Sequence, residues 1–323
     1  MPIWLSKGDV ASLLDMKETL EAVEQVFRAH GTDGAVVPTK ITLDLSKAGA
    51  EGWMNSMPAY VVDAKAAGIK FAGGFIHNPE RENLPYVMAT ILLIDPRNGV
   101  LQAVMDGYQI TIERTGAAPA VAARYLRPDF ERLAIIGAGS VGRAVARAFD
   151  QTHRLKEIRL HDISEKAAGD ACDSLQGSIK TPLEVSPTAA ACVKDAEVVV
   201  TATHAQSPLF SKKDVLPGCL LLPLGSFCEL DPELVMEAGA RIVDHLGQNM
   251  HRGEFYPYFR DGKLRESDIY AEIGEIAGGK KTVPRTGNQP IIASLIGIGS
   301  LDIALARRVY EAALEKRIGV HFE

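Results

Sequence analysis

Apolar residues recur at helical spacing near the start of the chain. Val10, Leu13, Leu14, Met16, Leu20, Val23, Val26 and Phe27 share one stripe, which predicts a single amphipathic helix over 8–30. A glycine-rich break, Gly31 to Gly34, follows it. Ile41-Thr42-Leu43-Asp44-Leu45 then alternates as a half-buried strand does, and β-like runs come next at Met54–Val62, Gly68–Phe75 and Val87–Asp95. Asp95-Pro96-Arg97-Asn98-Gly99 is a turn signal between Val87–Ile94 and Val100–Met105, which together read as a hairpin. The chain up to Met105 is thus expected to be mostly antiparallel β behind one leading helix. Residues 108–126 are rich in Ala, Arg and Ile and contain no proline except Pro119, so they read as one helix leading to the next domain.

The pattern changes after Pro128. Leu133–Ile136 is a short apolar run, followed by a glycine loop and a helix from about Val141 to Phe149. Glu157–His161 reads as a second strand. Glu197–Ala202 and Leu220–Leu224 are continuous apolar runs, as expected of strands buried on both faces of a parallel sheet, and Arg241–Val243 is a further candidate. Strand and helix alternate from 130 to about 290, which predicts an α/β fold with a doubly wound parallel sheet. An Ala-rich helix, Leu301 to Lys316, closes the sequence, and in this architecture it often returns to the first domain. The domains expected are therefore 1–128 with 297–323, and 129–296.

Composition narrows the class. A hydrophobic content of 46% with 24% charged residues is that of a globular protein able to bury a core. The net charge of −6 argues against a nucleic-acid partner, which needs a basic face to displace phosphate counterions. Cys172, Cys192, Cys219 and Cys228 show no CxxC or Cys/His ligand spacing, so buried reduced thiols are expected and no metal site. The start, Met-Pro-Ile-Trp-Leu-Ser-Lys-Gly-Asp, lacks a basic segment followed by a long apolar one, and no run approaches the about 18 apolar residues of a membrane span. A cytoplasmic enzyme of small molecules, without a membrane partner, is the expectation.

The glycine loop gives the chemistry a centre. Leu-Ala-Ile-Ile-Gly-Ala-Gly-Ser-Val-Gly-Arg sits between a predicted strand and a predicted helix, the context that gives GxGxxG a mechanism. Gly137 permits the tight turn, Gly139 lets the backbone approach a pyrophosphate, and Gly142 lets helix and strand pack closely. Ser140 and Val141 open the helix, whose N-terminus presents N–H groups and a positive dipole end to the phosphates. The second strand leads into Asp162 and Ile163 at the adenosine ribose. A carboxylate there accepts from both ribose hydroxyls and repels a 2′-phosphate, and no arginine follows in Ile163-Ser164-Glu165, so NAD(H) is favoured over NADP(H).

Hydride transfer needs a substrate carbon held against the nicotinamide, and a carboxylate substrate also needs a cationic clamp. The candidates outside the nucleotide-binding unit are Lys40, Lys70 and Arg114. Lys70 lies on an apolar, glycine-flanked strand, where an ammonium costs free energy unless it is paired or bound by an anion. Arg114 can equally be a helix-surface arginine paired with Glu113 or Asp106, and Lys40 a surface lysine.

These residues carry a resemblance. Met57-Pro58-Ala59-Tyr60, Gly68-Ile69-Lys70, Leu84-Pro85-Tyr86, Asp106-Gly107, Arg114-Thr115-Gly116-Ala117 and the glycine loop, followed by Gly225-Ser226-Phe227 and Glu229-Leu230-Asp231-Pro232-Glu233-Leu234, resemble the ornithine cyclodeaminase/mu-crystallin family. The match is collinear over nearly the whole chain. It implies a homodimer whose chains pair a mixed α+β substrate-binding and dimerisation domain with a Rossmann domain. It also implies that Lys70 and Arg114 hold a substrate α-carboxylate, with Lys40, which stands where the family often has an arginine, and Met57 and Tyr86 around the substrate; His77, in the loop after the Lys70 strand, is a further substrate-binding candidate. On the cofactor side it implies Thr115 near the diphosphate, Thr201, Ala202 and Thr203 beside the nucleotide, and the late glycine Gly297.

The chain also departs from the family pattern. Cyclodeaminases carry an aspartate after the glycine pair that follows the fifth Rossmann strand, where this chain has Phe227 and a shorter loop to Glu229. Tyr86 replaces a threonine, and Ser294-Leu295 keeps one hydroxyl of a polar pair. Asp231, followed by Pro232, reads as a helix start. Without the amine-handling aspartate, the expected reaction is reduction of a 2-imino acid (ketimine) to an amino acid, or the reverse oxidation. If His77 and Arg81 read a second carboxylate, iminosuccinate to aspartate becomes a candidate; the alternative for that loop is a solvated turn. Deaminating cyclisation of ornithine and dinucleotide-dependent binding of a small ligand remain the alternatives.

Overall fold

A computed structural model describes residues 1–46, 49, 51–226 and 228–322. The chain begins with β1 (Ile3–Leu5), α1 (Lys7–Leu13) and α2 (Met16–Gly31). The single helix expected over 8–30 is thus two. Ser6 and Asp9 form a reciprocal capping box on α1, and Asp15 accepts from the Glu18 N–H and caps α2, so the side chain of Asp15 meets a backbone N–H that the break at Leu14 frees from intrahelical pairing. There follow β2 (Ala35–Val36), β3 (Ile41–Asp44), β4 (Gly52–Val61), β5 (Ala66–Phe75), β6 (Val87–Ile94), β7 (Leu101–Asp106) and α3 (Tyr108–Leu126). The β6–β7 hairpin and the unbroken helix over 108–126 are as the pattern predicted.

The second stretch runs β8 (Arg132–Ile136), α4 (Ser140–Thr152), β9 (Glu157–His161), α5 (Glu165–Leu175), β10 (Leu183–Val185), α6 (Ala189–Val193), β11 (Val198–Thr201) and β12 (Leu220–Pro223). It continues through α7 (Pro232–Met236), β13 (Ala240–Val243), α8 (Leu246–Asn249), α9 (Tyr256–Arg260), β14 (Ala271–Glu272), α10 (Ile273–Ala277) and β15 (Ile291–Ser294). Asp231 caps α7 with Pro232 in its first position. The chain ends with α11 (Gly299–Lys316) and β16 (Val320–His321).

Contacts divide the chain into two units, Met1–Arg114 with Ile298–Glu323, and Thr115–Gly297. The division falls inside α3 rather than after Pro128, because the helix beyond Arg114 belongs to the second packing: a Cβ on Gly116 would stand 2.5 Å from the Cβ of Ala144 in α4.

In the first unit the strands order β16-β1-β7-β6-β5-β4-β2, with β3 also on β4. Among the described residues only β1 and β7 run parallel. The inner face packs Ile91, Leu93 and Met105 against Ile303, Leu305 and Val309 of α11. The outer face is largely uncovered. Rather than half-buried, β3 is exposed throughout, because it extends this outer face.

In the second unit every strand pair is parallel, in the order β10-β9-β8-β11-β12-β15-β13-β14. β8, β11, β12 and β15 are apolar on both faces and sheathed by helices. The order reverses between β8 and β11, the switch point at whose C-terminal ends such sheets bind ligands. Cys192 and Cys219 are buried, but Cys172 and Cys228 are partly exposed, so burial holds for two of the four thiols.

Candidate active site

The glycine loop links β8 to α4 in the nucleotide-binding unit. Gly137 has φ +108°, a conformation that strains any other residue, and its N–H donates to the His161 carbonyl at 2.8 Å. Gly139 is the N-cap of α4 and supplies no side-chain cap, and a Cβ there would meet nothing within 4 Å. Gly142 is the opposite case, with a Cβ on it standing 1.8 Å from the Gly137 carbonyl oxygen. One glycine keeps space open at a helix N-terminus and the other fills it, which fits a diphosphate lying on α4. Ser140 and Val141 form the first turn of that helix.

Asp162 stands just beyond β9. Its Oδ2 accepts from the Ala138 N–H of the glycine loop at 2.8 Å, and its Oδ1 from the Ser164 N–H at 2.9 Å. The carboxylate is thereby fixed at the loop with lone pairs remaining for ribose hydroxyls. Ile163, next to it, is 99% exposed.

At the end of β11 the sequence expectation is refined. The Thr201 hydroxyl donates to Glu229 Oε2 at 2.8 Å, and the Thr203 N–H and hydroxyl both donate to Glu229 Oε1, at 2.9 and 2.5 Å. The Gly225 N–H adds a bond to Oε2 at 3.0 Å, and a Cβ on Gly225 would collide with that oxygen. Ala202 lies between the two threonines. Both threonine protons thus go to a buried glutamate that ties the β11 loop to the β12 loop. Burial pushes the Glu229 carboxyl up, against these hydrogen bonds. Glu254 sits behind it, accepting from the Glu229 and Leu230 N–H groups at 2.8 and 3.2 Å, and burial pushes its carboxyl to about 8. Gly297 donates to the buried Asp244 Oδ2 at 2.6 Å. Phe227 lies outside the described residues.

The first unit holds a second, separate cluster. Alternation along β5 turns Lys70 to the inner face, in register with Met57 of β4 and Ile91 of β6. There it is 1% exposed. Its Nζ is 2.7 Å from Asp302 Oδ1, and the same oxygen accepts from Arg114 Nε at 3.0 Å. Asp302 is wholly buried, in the first turn of α11, while Arg114 comes from α3 and is 6% exposed. Burial, then the positive charge of Arg114, bring the Lys70 ammonium down to about 8, against the pull of Asp302. Burial works against the Asp302 carboxylate, but Arg114 and Lys70 outweigh it and hold its pKa below the usual value.

Sequence reasoning named Lys70 and Arg114 and missed the acid between them. The signal it lacked was spatial: Asp302 is 188 residues from Arg114 along the chain. Met57 is buried beside Lys70 in the register. Lys40, ahead of β3, and Tyr86, ahead of β6, are both half-buried, and Thr115 follows Arg114 on α3. His77 and Arg81 are both engaged by Glu51, at 3.3 and 2.9 Å, on an exposed turn. That is the solvated-turn arrangement. Among the described residues no group of His, Cys, Asp or Glu could hold a metal, and no helix is long and apolar enough to cross a membrane.

The sequence pattern of the ornithine cyclodeaminase/mu-crystallin family matches residues 2–317. The chain is 32% identical to an alanine dehydrogenase of Archaeoglobus fulgidus, over 98% of this chain and 96% of that one. Among solved structures it is similar to Thermococcus litoralis Δ1-pyrroline-2-carboxylate reductase in complex with NADH and L-proline, with a TM-score of 0.92 and 28% identity over 99% of this chain and 100% of that one. An archaeal alanine dehydrogenase dimer with bound NAD also matches, with a TM-score of 0.92 and 30% identity over 100% of this chain and 99% of that one.

Proposed function

Because the chain belongs to the ornithine cyclodeaminase/mu-crystallin family, we propose that it is an NAD(H)-dependent oxidoreductase that reduces a 2-imino acid to the amino acid, or runs the reverse oxidation. The observation that carries this reading is the buried triad. Two cations, Lys70 and Arg114, share one carboxylate oxygen of Asp302, which leaves one net positive charge out of water. Such a site is poorly stable until an anion neutralises it. A substrate α-carboxylate supplies that anion.

When bound, NADH supplies the hydride. The chain's residues do the rest. Gly139 and the N-terminus of α4 take the diphosphate, and Asp162 takes the ribose hydroxyls and disfavours a 2′-phosphate. The Arg114 guanidinium holds the substrate carboxylate. Lys70, whose ammonium is destabilised by burial, gives its proton to the imine nitrogen, which makes the imine carbon electrophilic. The engaged state of His77 and Arg81 favours a substrate with a single carboxylate over iminosuccinate.

The protein acts as a homodimer in this reading. One face of the first sheet exposes Ile41, Leu43, Met54, Phe71 and Met88, which the strand register places side by side. A contiguous apolar sheet face of this kind suits a second copy of the chain. Cysteines free of disulfides accord with a reducing, cytoplasmic setting.

The test is a screen of 2-oxo acids with ammonium or methylamine, following oxidation of NADH by its absorbance. Oxidation with at least one pair is expected, and none with any pair overturns the reading. Release of ammonia and proline from ornithine would restore the cyclodeaminase.

A further inference from the structure

Binding a carboxylate needs cations, and nothing in that task calls for an acid between Lys70 and Arg114. A buried anion there weakens the pull of both cations on the substrate, and its own desolvation costs free energy. The contacts supply a reason for it. Lys70 Nζ donates to Asp302 Oδ1 at 2.7 Å and to Thr111 Oγ1 at 3.4 Å. Thr111 spends its own hydroxyl hydrogen on the Gly107 carbonyl at 2.7 Å, so towards Lys70 it is an acceptor. An ammonium has three N–H groups. With two of them held, the Cε–Nζ rotor is locked and the third points in one direction. Asp302 also takes Arg114 at Nε, away from the terminal nitrogen pair that meets a carboxylate in two parallel bonds.

We propose that Asp302 is a positioning residue that, together with Thr111, locks the Lys70 ammonium so that its third N–H is aimed at the imine nitrogen of the substrate. This rests on the reading of the chain as an imine reductase with Lys70 as its acid. In the step concerned, an N–H bond of Lys70 breaks and the imine nitrogen lone pair takes the proton. Lys70 becomes a neutral amine, and the substrate an iminium whose carbon accepts the hydride of the reduced dinucleotide. Lys70 then regains a proton from solvent.

The charge environment agrees with the geometry. Lys70 is faced by Thr111 and Arg114 on α3, by Asp302 on α11, and by Met57 and Ile91 on the flanking strands. Of these, Asp302 is the one group that favours the protonated amine through its charge. Without it, burial and Arg114 both drive the proton off.

The experiment compares D302N, T111V and K70A with the unaltered enzyme, in the reaction found by the screen. For D302N, NADH binding and substrate KM should stay within about threefold while kcat at pH 8 falls about tenfold or more. The basic limb of its kcat/KM profile should move about one pH unit or more to lower pH. A folded D302N with an unmoved limb, or one with raised KM and unchanged kcat, overturns the proposal. Should D302N not fold, T111V decides: a kcat lowered about threefold or more at unchanged KM supports the lock, and an unchanged kcat overturns it. A fully active K70A overturns the underlying reading of Lys70. An inactive K70A beside an unaltered D302N overturns the role of Asp302 alone.

Discussion

A Cβ on Gly142 would stand 1.8 Å from the carbonyl oxygen of Gly137. Since that oxygen belongs to backbone at φ +108°, it has little freedom to yield. Gly139, two residues further along the loop, has open space where a side chain would go and an ordinary φ of −67°. The two glycines should therefore fail differently. G142A is expected to destabilise the fold by about 2 kcal/mol or more through overpacking. G139A should keep its stability and lose about tenfold or more in NADH affinity, since its methyl group occupies the place of the diphosphate. Chemical denaturation and a fluorescence titration on each variant check this, and equal stability losses would refute the division of labour.

Lys70 is the group whose removal should separate chemistry from cofactor binding. In K70A, turnover should fall about a hundredfold or more, the usual worth of a positioned acid, while NADH fluorescence titration stays unchanged. Loss of both together would make Lys70 a folding or cofactor residue.

Lys70 also sets the direction of the pH dependence. With its ammonium as the proposed acid and its pKa lowered to about 8, activity is expected below that pH and should be lost as pH rises through it. The kcat/KM profile for imine reduction should be flat on the acid side of about pH 8 and decline above it. A profile that rises through this range would assign the proton to another group.

Glu254 should leave its mark on stability. Its pKa is raised from 4.5 to about 8 in the folded protein, so the folded state holds a proton that the unfolded chain has released between those values. The stabilisation is complete below pH 4.5 and is lost as pH rises through about 8. Denaturant unfolding at pH 6 and pH 8 should show the wild type weakening with pH. E254Q should be weaker than wild type at pH 6, where it lacks one backbone acceptor, yet less sensitive to pH. An equal pH slope in both proteins would show that Glu254 is ionised already.

Much of the fold was readable without coordinates, and the reasons are local. Gly142 packs on the carbonyl of Gly137 five residues before it, and Gly139 is the N-cap of the helix that follows, so spacing alone predicted the conformation of both. Alternation placed Lys70 on a strand, and its apolar neighbours marked it as an ammonium in need of a partner. The division of the first helix was also written locally, in Ser6-Lys7-Gly8-Asp9 and in Asp15 with Glu18, but the continuous apolar stripe across Leu13, Leu14 and Met16 masked it.

What the sequence by itself determined was the strand–glycine loop–helix unit, the carboxylate of Asp162 after its second strand, and the two cations Lys70 and Arg114, because each is read from its neighbours in the chain. Which acid joins those cations was decided only by the tertiary structure. Asp302 reaches Lys70 and Arg114 because the inner face of the sheet and the first turn of α11 bury them together, and a helical aspartate carries no local sign of that. Thr201 and Thr203 tell the same story: the family resemblance made them candidates beside the nucleotide, and Glu229 from the loop after β12 accepts from their hydroxyls. Local rules fix conformation, whereas the choice of partner for a buried charge depends on which surfaces the folded chain seals from water.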